Sequence, residues 1–481
     1  MPNAEVPSLV PLTGGRGLRL IRSPADPDLD AIGYLQSEWR ASGTAGSLDA
    51  PDGLSSDGRW SLVPGPERSF TTRLVLRRPA EDLRCSGTLV VEWLNVSSGT
   101  DTAPVFGVAG AEMARAGHVW VGVSAQWAGV VAAPALVDVG DLSDAGGRSG
   151  AGMSALQAAD PQRYGDLHHP GDAFCFDLFT RVVDALLVGR KSDGSVSGGP
   201  LDGLQVDRVL AVGESQSAYA LTTYVNGFQP ISGRFDGFLI HSRGGPPMAL
   251  GAMDRGVDLE VGRHDPPCLL RDDLDVPVLV VQTETDVLGH LWSLPARQPD
   301  DATHRLWEVA GSAHADRSMV GDFEELLGCD EPINRGQQRF VVRSALRHLD
   351  RWVADGVAPP RADPIVVDGD PTAGRSALRF RTDDVGNAVG GVRTPSVDAP
   401  AEVLSGLTGP DASHVCRLFG SRRPASPDVL AARYPGGPED YLSAYAAATD
   451  AAIASGFVLA DDRDEIISDA HPELIPDREV G

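Results

Sequence analysis

The chain has 481 residues, of which 42% are hydrophobic and 22% are charged, a balance typical of a globular protein with a sizeable core. Its formal net charge of −26 argues against nucleic acids and anionic membranes as partners, because both are bound through clustered cations. No apolar run reaches the roughly 18 residues that are needed to span a bilayer.

The N-terminus and the cysteines indicate the compartment. Residues 1–10 contain an acid and a proline where a signal peptide would carry a basic region and an apolar run. The five cysteines are scattered, odd in number and form no C-x-x-C pair, so we expect reduced thiols and no zinc site. These features predict a cytoplasmic protein. They do not indicate an oligomeric state.

Strands and helices are predicted to alternate from residue 88 onward. The preceding residues are rich in Gly, Pro, Ser and Asp, with only a weak strand-like run at Phe70–Leu76. Short apolar runs predict strands at Thr88–Leu94, His118–Ser124, Val206–Val212, Phe235–Ile240, Val276–Val281 and Arg305–Val309. Helices are predicted at 103–116, 174–187, 217–225, 339–353 and 438–455. This alternation predicts an α/β fold with a mainly parallel sheet and helices on both faces.

Two stretches interrupt the alternation. Residues 243–275 are dense in Gly, Pro and Asp, and we expect an insertion above the sheet that acts as a cap. Residues 362–481 contain loops punctuated by Gly and Pro, together with the last predicted helix. We expect residues 1–361 to form the main domain and residues 362–481 to be an extension packed on it, covering the site.

The sequence Gly213-Glu214-Ser215-Gln216-Ser217 lies between a predicted strand and a predicted helix. A sharp turn at this place exposes the side chain of its central serine, and small residues two positions before and after it prevent a clash. Ser217 replaces the second glycine of the usual pattern. Ser215 is therefore the candidate nucleophile, and the alternative role is that of a helix N-cap.

A nucleophilic serine needs a base, and the base needs a carboxylate that orients it. His314 follows the last predicted strand of the main domain, and both Glu284 and Asp286 follow the strand before it. Open α/β sheets build their sites at these strand ends. His314 is the candidate base, and either carboxylate can serve as the acid.

An acyl-transfer site also needs N–H donors for the oxyanion. The N–H of Gln216, at the start of the helix, is one candidate. The second is expected in the loop 95–99, and we assign it to Asn95. The adjacent His168 and His169 could indicate a metal, but side chains of neighbouring residues point in different directions. We expect neither a metal nor a cofactor.

Several segments resemble a bacterial family described simply as alpha/beta hydrolase domain proteins. They include VVEWLNVSSG (90–99), RYGDLHHPGDAFCFDLF (163–179), AVGESQSAYAL (211–221), VLVVQTETDV (278–287), GSAHAD (311–316) and GGVRTP (390–395). The resemblance extends to residues 434–457. It implies the α/β-hydrolase fold and a carboxylesterase-like triad of Ser215, Asp286 and His314. The usual position of the acid in this superfamily favours Asp286 over Glu284.

The expected activity is therefore hydrolysis of a small-molecule carboxylic ester through an acyl-enzyme at Ser215. An acyltransferase or an amidase would use the same residues, and a non-catalytic binding protein on the same fold is a third alternative. The sequence does not identify the ester.

Overall fold

The computed structural model describes residues 5–21, 23–132, 154–262, 264–370 and 374–477. The chain forms two compact units. Unit 1 comprises Met1–Val278 and Leu349–Val357, and unit 2 comprises Leu279–His348 and Ala358–Gly481. Unit 2 thus contains both the strand-end residues 284–314 and the C-terminal residues. The division expected at residue 361 differs from this one and stays a prediction.

The strands of unit 1 lie side by side in the order β1-β2-β3-β5-β4-β6-β7. Strands β1 to β3 and β5 pair in antiparallel fashion, whereas β5, β4, β6 and β7 are parallel. All six residues of β4 are buried, which explains its nearly continuous apolar run. The strands are β1 (Ser8–Pro11), β2 (Tyr34–Asp49), β3 (Val63–Pro79), β4 (Thr88–Trp93), β5 (Val119–Val123), β6 (Arg208–Glu214) and β7 (Gly237–His241).

The longer helices of unit 1 connect its parallel strands. They are α1 (Pro104–Ala116), α2 (Cys175–Leu186) and α3 (Gln216–Thr223). Pro104 occupies the first turn of α1, and Gly117 ends the helix in the left-handed conformation, at φ 74°. Helix α3 continues as a π-helical turn, Tyr224–Phe228, and a last turn, Gln229–Ser232. Single helical turns lie at Trp127–Val130, Leu156–Ala159, Pro161–Tyr164 and Leu259–Gly262.

The long hairpin of β2 and β3 was not expected from the sequence. The two strands pair from Tyr34 with Pro79 to Asp49 with Val63, with one irregularity between Gly46 and Leu48. Strand β2 is made largely of polar and small residues, which have low strand propensity. Its backbone hydrogen bonds to β3 and the burial of its small side chains outweigh that local preference.

Unit 2 contains β9 (His304–Val309) and all but the first residue of β8 (Val278–Thr283), and these two strands are neighbours in a sheet. Two small antiparallel sheets follow, formed by β10 (Val367–Asp368) with β11 (Arg379–Phe380) and by β12 (Glu402–Ser405) with β13 (Ser421–Pro424). The helices are α4 (Gln338–Asp355), α5 (His414–Phe419), α6 (Pro427–Arg433), α7 (Pro438–Ala454) and α8 (Arg463–Ser468). The end of α4 belongs to unit 1. Single helical turns lie at Glu284–Val287, Arg317–Val320 and Pro395–Asp398.

Residues 243–275, expected to be an inserted cap, have little regular structure within their described part. Hydrogen bonds from Ala173 N–H to the Ala252 carbonyl (3.1 Å) and from Asp254 N–H to the Pro170 carbonyl (2.9 Å) join them to the loop before α2. The insertion is therefore tied to unit 1. Its role as a cap stays a prediction.

The expectation that all cysteines are reduced is wrong for two of them. Cys329 and Cys416 form a disulfide that links positions 87 residues apart in unit 2. Positions so distant along the chain are brought together only by the fold, so cysteine spacing could not reveal the pair. Cys85, Cys175 and Cys268 are free thiols. Over the described part of the chain, no helix is long and apolar enough to cross a membrane.

Candidate active site

Ser215 lies at the turn between β6 and α3, in a backbone conformation that few residues adopt. Its φ is 60° and its ψ is −120°, a region in which a residue with a side chain is strained by about 1–3 kcal/mol. Its N–H donates to the carbonyl of His241 at 3.0 Å, which continues the pairing of β6 with β7. A Cβ on Gly213 would lie 3.0 Å from Cβ of Ser217, a tight contact that favours glycine at this position. This is the turn that the sequence pattern predicts.

Gln216 follows Ser215 and begins α3. Its N–H is in the first helical turn, where backbone donors have no acceptor within the helix and the helix dipole favours negative charge. Its side-chain Oε1 accepts a hydrogen bond from the N–H of Val96 (3.2 Å), and Nε2 donates to Oε1 of Gln126 (2.5 Å). Gln126 Oε1 also accepts from the indole of Trp93 (2.9 Å). A chain of buried polar side chains thus joins the loop after β4 to the elbow, the sharp turn at residues 213–217 that carries Ser215.

Asn95, expected to supply the second oxyanion donor, makes hydrogen bonds within its loop and to β6. Its N–H donates to the carbonyl of Thr102 at 3.0 Å, and its side-chain amide donates to the carbonyl of Glu214 at 3.0 Å. Its Oδ1 accepts from the N–H of Ser97 (2.9 Å). The N–H is thus bonded within the loop, and the role of Asn95 as an oxyanion donor stays a prediction. The residue connects the loop to the strand that carries Ser215.

Two buried carboxylates that the sequence reasoning missed hold the ends of this loop. Glu92 accepts hydrogen bonds from the N–H groups of Val105 (2.9 Å) and Phe106 (3.0 Å) at the start of α1, and burial raises its pKa to about 8. Asp101 accepts from the guanidinium of the buried Arg73 at 2.6 Å. An acidic residue inside an apolar strand, as in VVEWL, is the signal that could have identified Glu92.

Asp286 and His314 meet in unit 2. Oδ1 of Asp286 lies 2.8 Å from Nδ1 of His314, and both side chains are buried. Asp286 Oδ2 accepts from the N–H of Thr283 at 2.7 Å, which fixes the carboxylate. A carboxylate can only accept, so Nδ1 carries the proton, and Nε2 is the nitrogen that can act as a base when the imidazole is neutral.

Glu284, the other candidate acid, holds the backbone in place. Its two oxygens accept from the N–H groups of Gly311 (2.6 Å) and Gly406 (2.9 Å), and burial raises its pKa to about 7. The hydroxyl of Thr285 donates to the carbonyl of Gly406 (2.6 Å) and accepts from the N–H of His314 (3.2 Å). These two residues therefore tie the loop of His314 to residue 406 of the C-terminal segment.

In the pair His168 and His169, the ring of His169 is hydrogen-bonded to backbone groups. His169 is buried, its Nε2 donates to the carbonyl of Ala125 (2.8 Å), and its Nδ1 accepts from the N–H of Gly171 (3.2 Å). Asp172 accepts from the N–H groups of Trp127 (2.7 Å) and Val257 (2.8 Å). Across the described ranges, no group of three or more His, Cys, Asp or Glu side chains could hold a metal ion.

The parallel strand order and the elbow after β6 define the class of protein, an α/β hydrolase. The chain belongs to the alpha/beta hydrolase domain family, whose model matches residues 8–468. The resemblance noted from the sequence and the predicted α/β-hydrolase fold are therefore confirmed. No curated protein is significantly similar in sequence.

Solved structures of distant similarity include an α/β serine hydrolase without a lid from Xanthomonas campestris. It is 14% identical, with a TM-score of 0.32, and the match covers 64% of this chain and 94% of that one. An esterase from Rhizomucor miehei is 11% identical, with a TM-score of 0.31, covering 66% of this chain and 85% of that one. Est1E from Butyrivibrio proteoclasticus is 9% identical, with a TM-score of 0.29 and coverages of 58% and 95%.

Proposed function

We propose that this hydrolase cleaves carboxylic esters through an acyl-enzyme formed at Ser215. The observation that carries the proposal is the strained backbone of Ser215, with φ at 60°, at the junction of β6 and α3. A non-glycine residue rarely adopts this conformation, and strain of this kind concentrates at functional sites. The role of a helix N-cap does not require it, because N-cap residues usually have φ and ψ in the β region.

The base and the acid of the proposed triad are His314 and Asp286. In the first step Ser215 Oγ attacks the ester carbonyl while Nε2 of His314 takes its proton, and the same proton then goes to the leaving alcohol as the ester C–O bond breaks. In the second step water attacks the acyl-enzyme with His314 again as the base, and the carboxylic acid is released. The proposal requires that Nε2 come within hydrogen-bond reach of Oγ.

Two features of the described residues support these roles. The 2.8 Å contact between Asp286 Oδ1 and His314 Nδ1 is the geometry by which a carboxylate stabilises an imidazolium. The N–H of Gln216, at the positive end of α3, is suited to an oxyanion that develops beside Ser215. This chemistry uses only side-chain and backbone groups of the chain, together with water.

Substitution of the nucleophile tests the proposal directly. Ser215→Ala should lower kcat on p-nitrophenyl esters by a factor on the order of 10⁴ to 10⁶, with an unchanged melting temperature, because loss of a triad residue has an effect of this size. A fluorophosphonate probe should label the wild-type protein at Ser215. Labelling of a different serine, with an active Ser215→Ala variant, would overturn the proposal.

A further inference from the structure

The loop after β4 begins with four consecutive N–H groups, those of residues 94–97. Those of Leu94, Asn95 and Ser97 donate to the Val123 carbonyl (3.2 Å), the Thr102 carbonyl (3.0 Å) and Asn95 Oδ1 (2.9 Å). These acceptors belong to β5 or to the loop itself. The N–H of Val96 instead donates to the side chain of Gln216 (3.2 Å), the residue whose own N–H begins α3. Val96 is therefore the member of the four whose donor is directed at the elbow.

The indole of Trp93 determines which end of the Gln216 amide faces Val96. An indole N–H can only donate, so the Gln126 atom that it contacts must be the carbonyl oxygen. That oxygen also faces the Gln216 amide, which must then present its NH₂ group there, at 2.5 Å. The carbonyl oxygen of Gln216 consequently faces the N–H of Val96.

We infer that Val96 N–H is the second oxyanion donor. Until the oxyanion forms, this N–H donates to the side-chain carbonyl of Gln216. The inference rests on the proposed role of Ser215. An amide oxygen is a better acceptor than a neutral ester carbonyl, so the Val96–Gln216 hydrogen bond persists in the substrate complex. An oxyanion makes charge-assisted hydrogen bonds roughly twice as strong as neutral ones, and it displaces the amide.

This exchange makes the Val96 hydrogen bond specific to the transition state. Only interactions that are stronger in the transition state than in the ground state accelerate the chemical step. Because the donor is withheld from the bound ester and released to the oxyanion, it contributes to kcat and not to substrate affinity. Gln216 thus has two roles. Its backbone N–H is one oxyanion donor, and its side-chain carbonyl keeps the N–H of Val96 hydrogen-bonded until the oxyanion forms.

Two substitutions of Gln216 keep its backbone N–H and change only the side-chain acceptor. Gln216→Met has similar length but no acceptor, so Val96 N–H becomes available to the ester in the ground state. We expect kcat/KM to rise roughly two- to tenfold, mainly through a lower KM. The reason is that the substrate no longer has to replace the hydrogen bond between Val96 N–H and the Gln216 side chain. Gln216→Glu introduces a carboxylate that competes for Val96 and repels the oxyanion. We expect kcat to fall on the order of a hundredfold at pH values where this carboxyl is ionised and His314 is neutral.

Fluorophosphonate labelling and melting temperature are measured on the wild type and on both variants. An unchanged or lower kcat/KM for a folded, labelled Gln216→Met protein would overturn the inference, because removing the side-chain acceptor would then bring no gain from Val96 N–H. Wild-type kcat in a folded Gln216→Glu variant would overturn it as well, and this variant decides if Gln216→Met does not fold. Failure of the wild type to label at Ser215 would instead remove the proposed function, and the inference with it.

Discussion

The two carboxylates that follow β8 differ in what they contact, and this difference predicts different consequences of their loss. Asp286 accepts from His314 Nδ1 and from Thr283 N–H. In Asp286→Asn, the remaining oxygen stays with Thr283 N–H and the NH₂ group faces His314, which forces the proton to Nε2 and removes the base. We expect kcat to fall by about 10⁴, as in a related triad. Steady-state kinetics on protein of unchanged melting temperature measure this.

Glu284→Gln is the matched control for that variant. It keeps one acceptor for the N–H groups of Gly311 and Gly406 and loses the other. A buried N–H left without its acceptor costs about 1–3 kcal/mol. We expect a lower melting temperature and a loss in kcat of roughly tenfold or less. A larger kinetic loss in Glu284→Gln than in Asp286→Asn would show that Glu284 is the catalytic acid.

Residue patterns predicted the site only where backbone geometry constrains the residue type. The turn at Ser215 favours a small residue at position 213, and the glycine there is visible in the sequence. The sequence positions of Asp286 and Glu284 do not distinguish the two candidate acids, because both residues follow β8. Only their tertiary contacts differ. The bond from Asn95 N–H to the carbonyl of Thr102 could not be predicted, because a loop sequence does not reveal a partner seven residues later.

Helices and strands differ in how well their sequences predict them. The helix expected at 438–455 is α7, Pro438–Ala454. Its sequence is recognisable because the buried residues Tyr441, Tyr445 and Thr449 repeat at helical spacing. The parallel strands are equally recognisable, since burial on both faces makes them continuously apolar. Strand β2 is not recognisable, because it depends on its pairing with β3 and not on its own composition.

The disulfide joins two elements of unit 2, the segment after Leu327 and helix α5. Cys329 and Phe419 pack in one apolar cluster with Ala315, the residue after His314. Closing a loop of this length by a disulfide stabilises a protein by about 4.6 kcal/mol in the chain-entropy model. The double variant Cys329→Ser/Cys416→Ser should therefore have a clearly lower melting temperature in thermal unfolding. Disulfides persist in oxidising compartments, and the cytoplasmic location stays a prediction.

Thiol titration gives an independent check of the same bond. The chain has five cysteines, and three of them are free in the structure. Protein denatured without reductant should therefore react with a thiol reagent at three positions, and at five after reduction. Five reactive thiols before reduction, with no effect of the double variant on stability, would contradict the disulfide.

At the scale of the whole molecule, Glu92 makes stability depend on pH. Burial raises its pKa from 4.5 to about 8, so between these values the unfolded chain ionises it and the folded protein keeps it protonated. The contribution of Glu92 to the unfolding free energy is therefore fully present below pH 4.5 and is lost as the pH rises through 8. We expect the unfolding free energy of the wild type to fall, relative to Glu92→Gln, by a few kcal/mol between pH 5 and pH 9. Denaturant unfolding at both pH values measures this, and a constant difference would show that Glu92 is ionised throughout.

The last prediction concerns residues 362–481, which supply much of the interior of unit 2. Ile365, Phe380 and Val397 share an apolar cluster with Val287 and Ala310, which lie beside the acid and base loops.

Polar contacts link the same two parts of unit 2. Gly406 binds Glu284 and Thr285, and Arg339 in α4 pairs with Asp469 at 2.7 Å. Deletion of residues 362–481 should therefore expose apolar surface and leave buried polar groups without partners, and we expect insoluble protein. Sedimentation of cell lysates and esterase assays of the soluble fraction measure the outcome, with the full-length chain as the control. A soluble, active fragment 1–361 that melts cooperatively would show that residues 362–481 are an independent domain, because unit 2 would then fold without the Gly406 contacts.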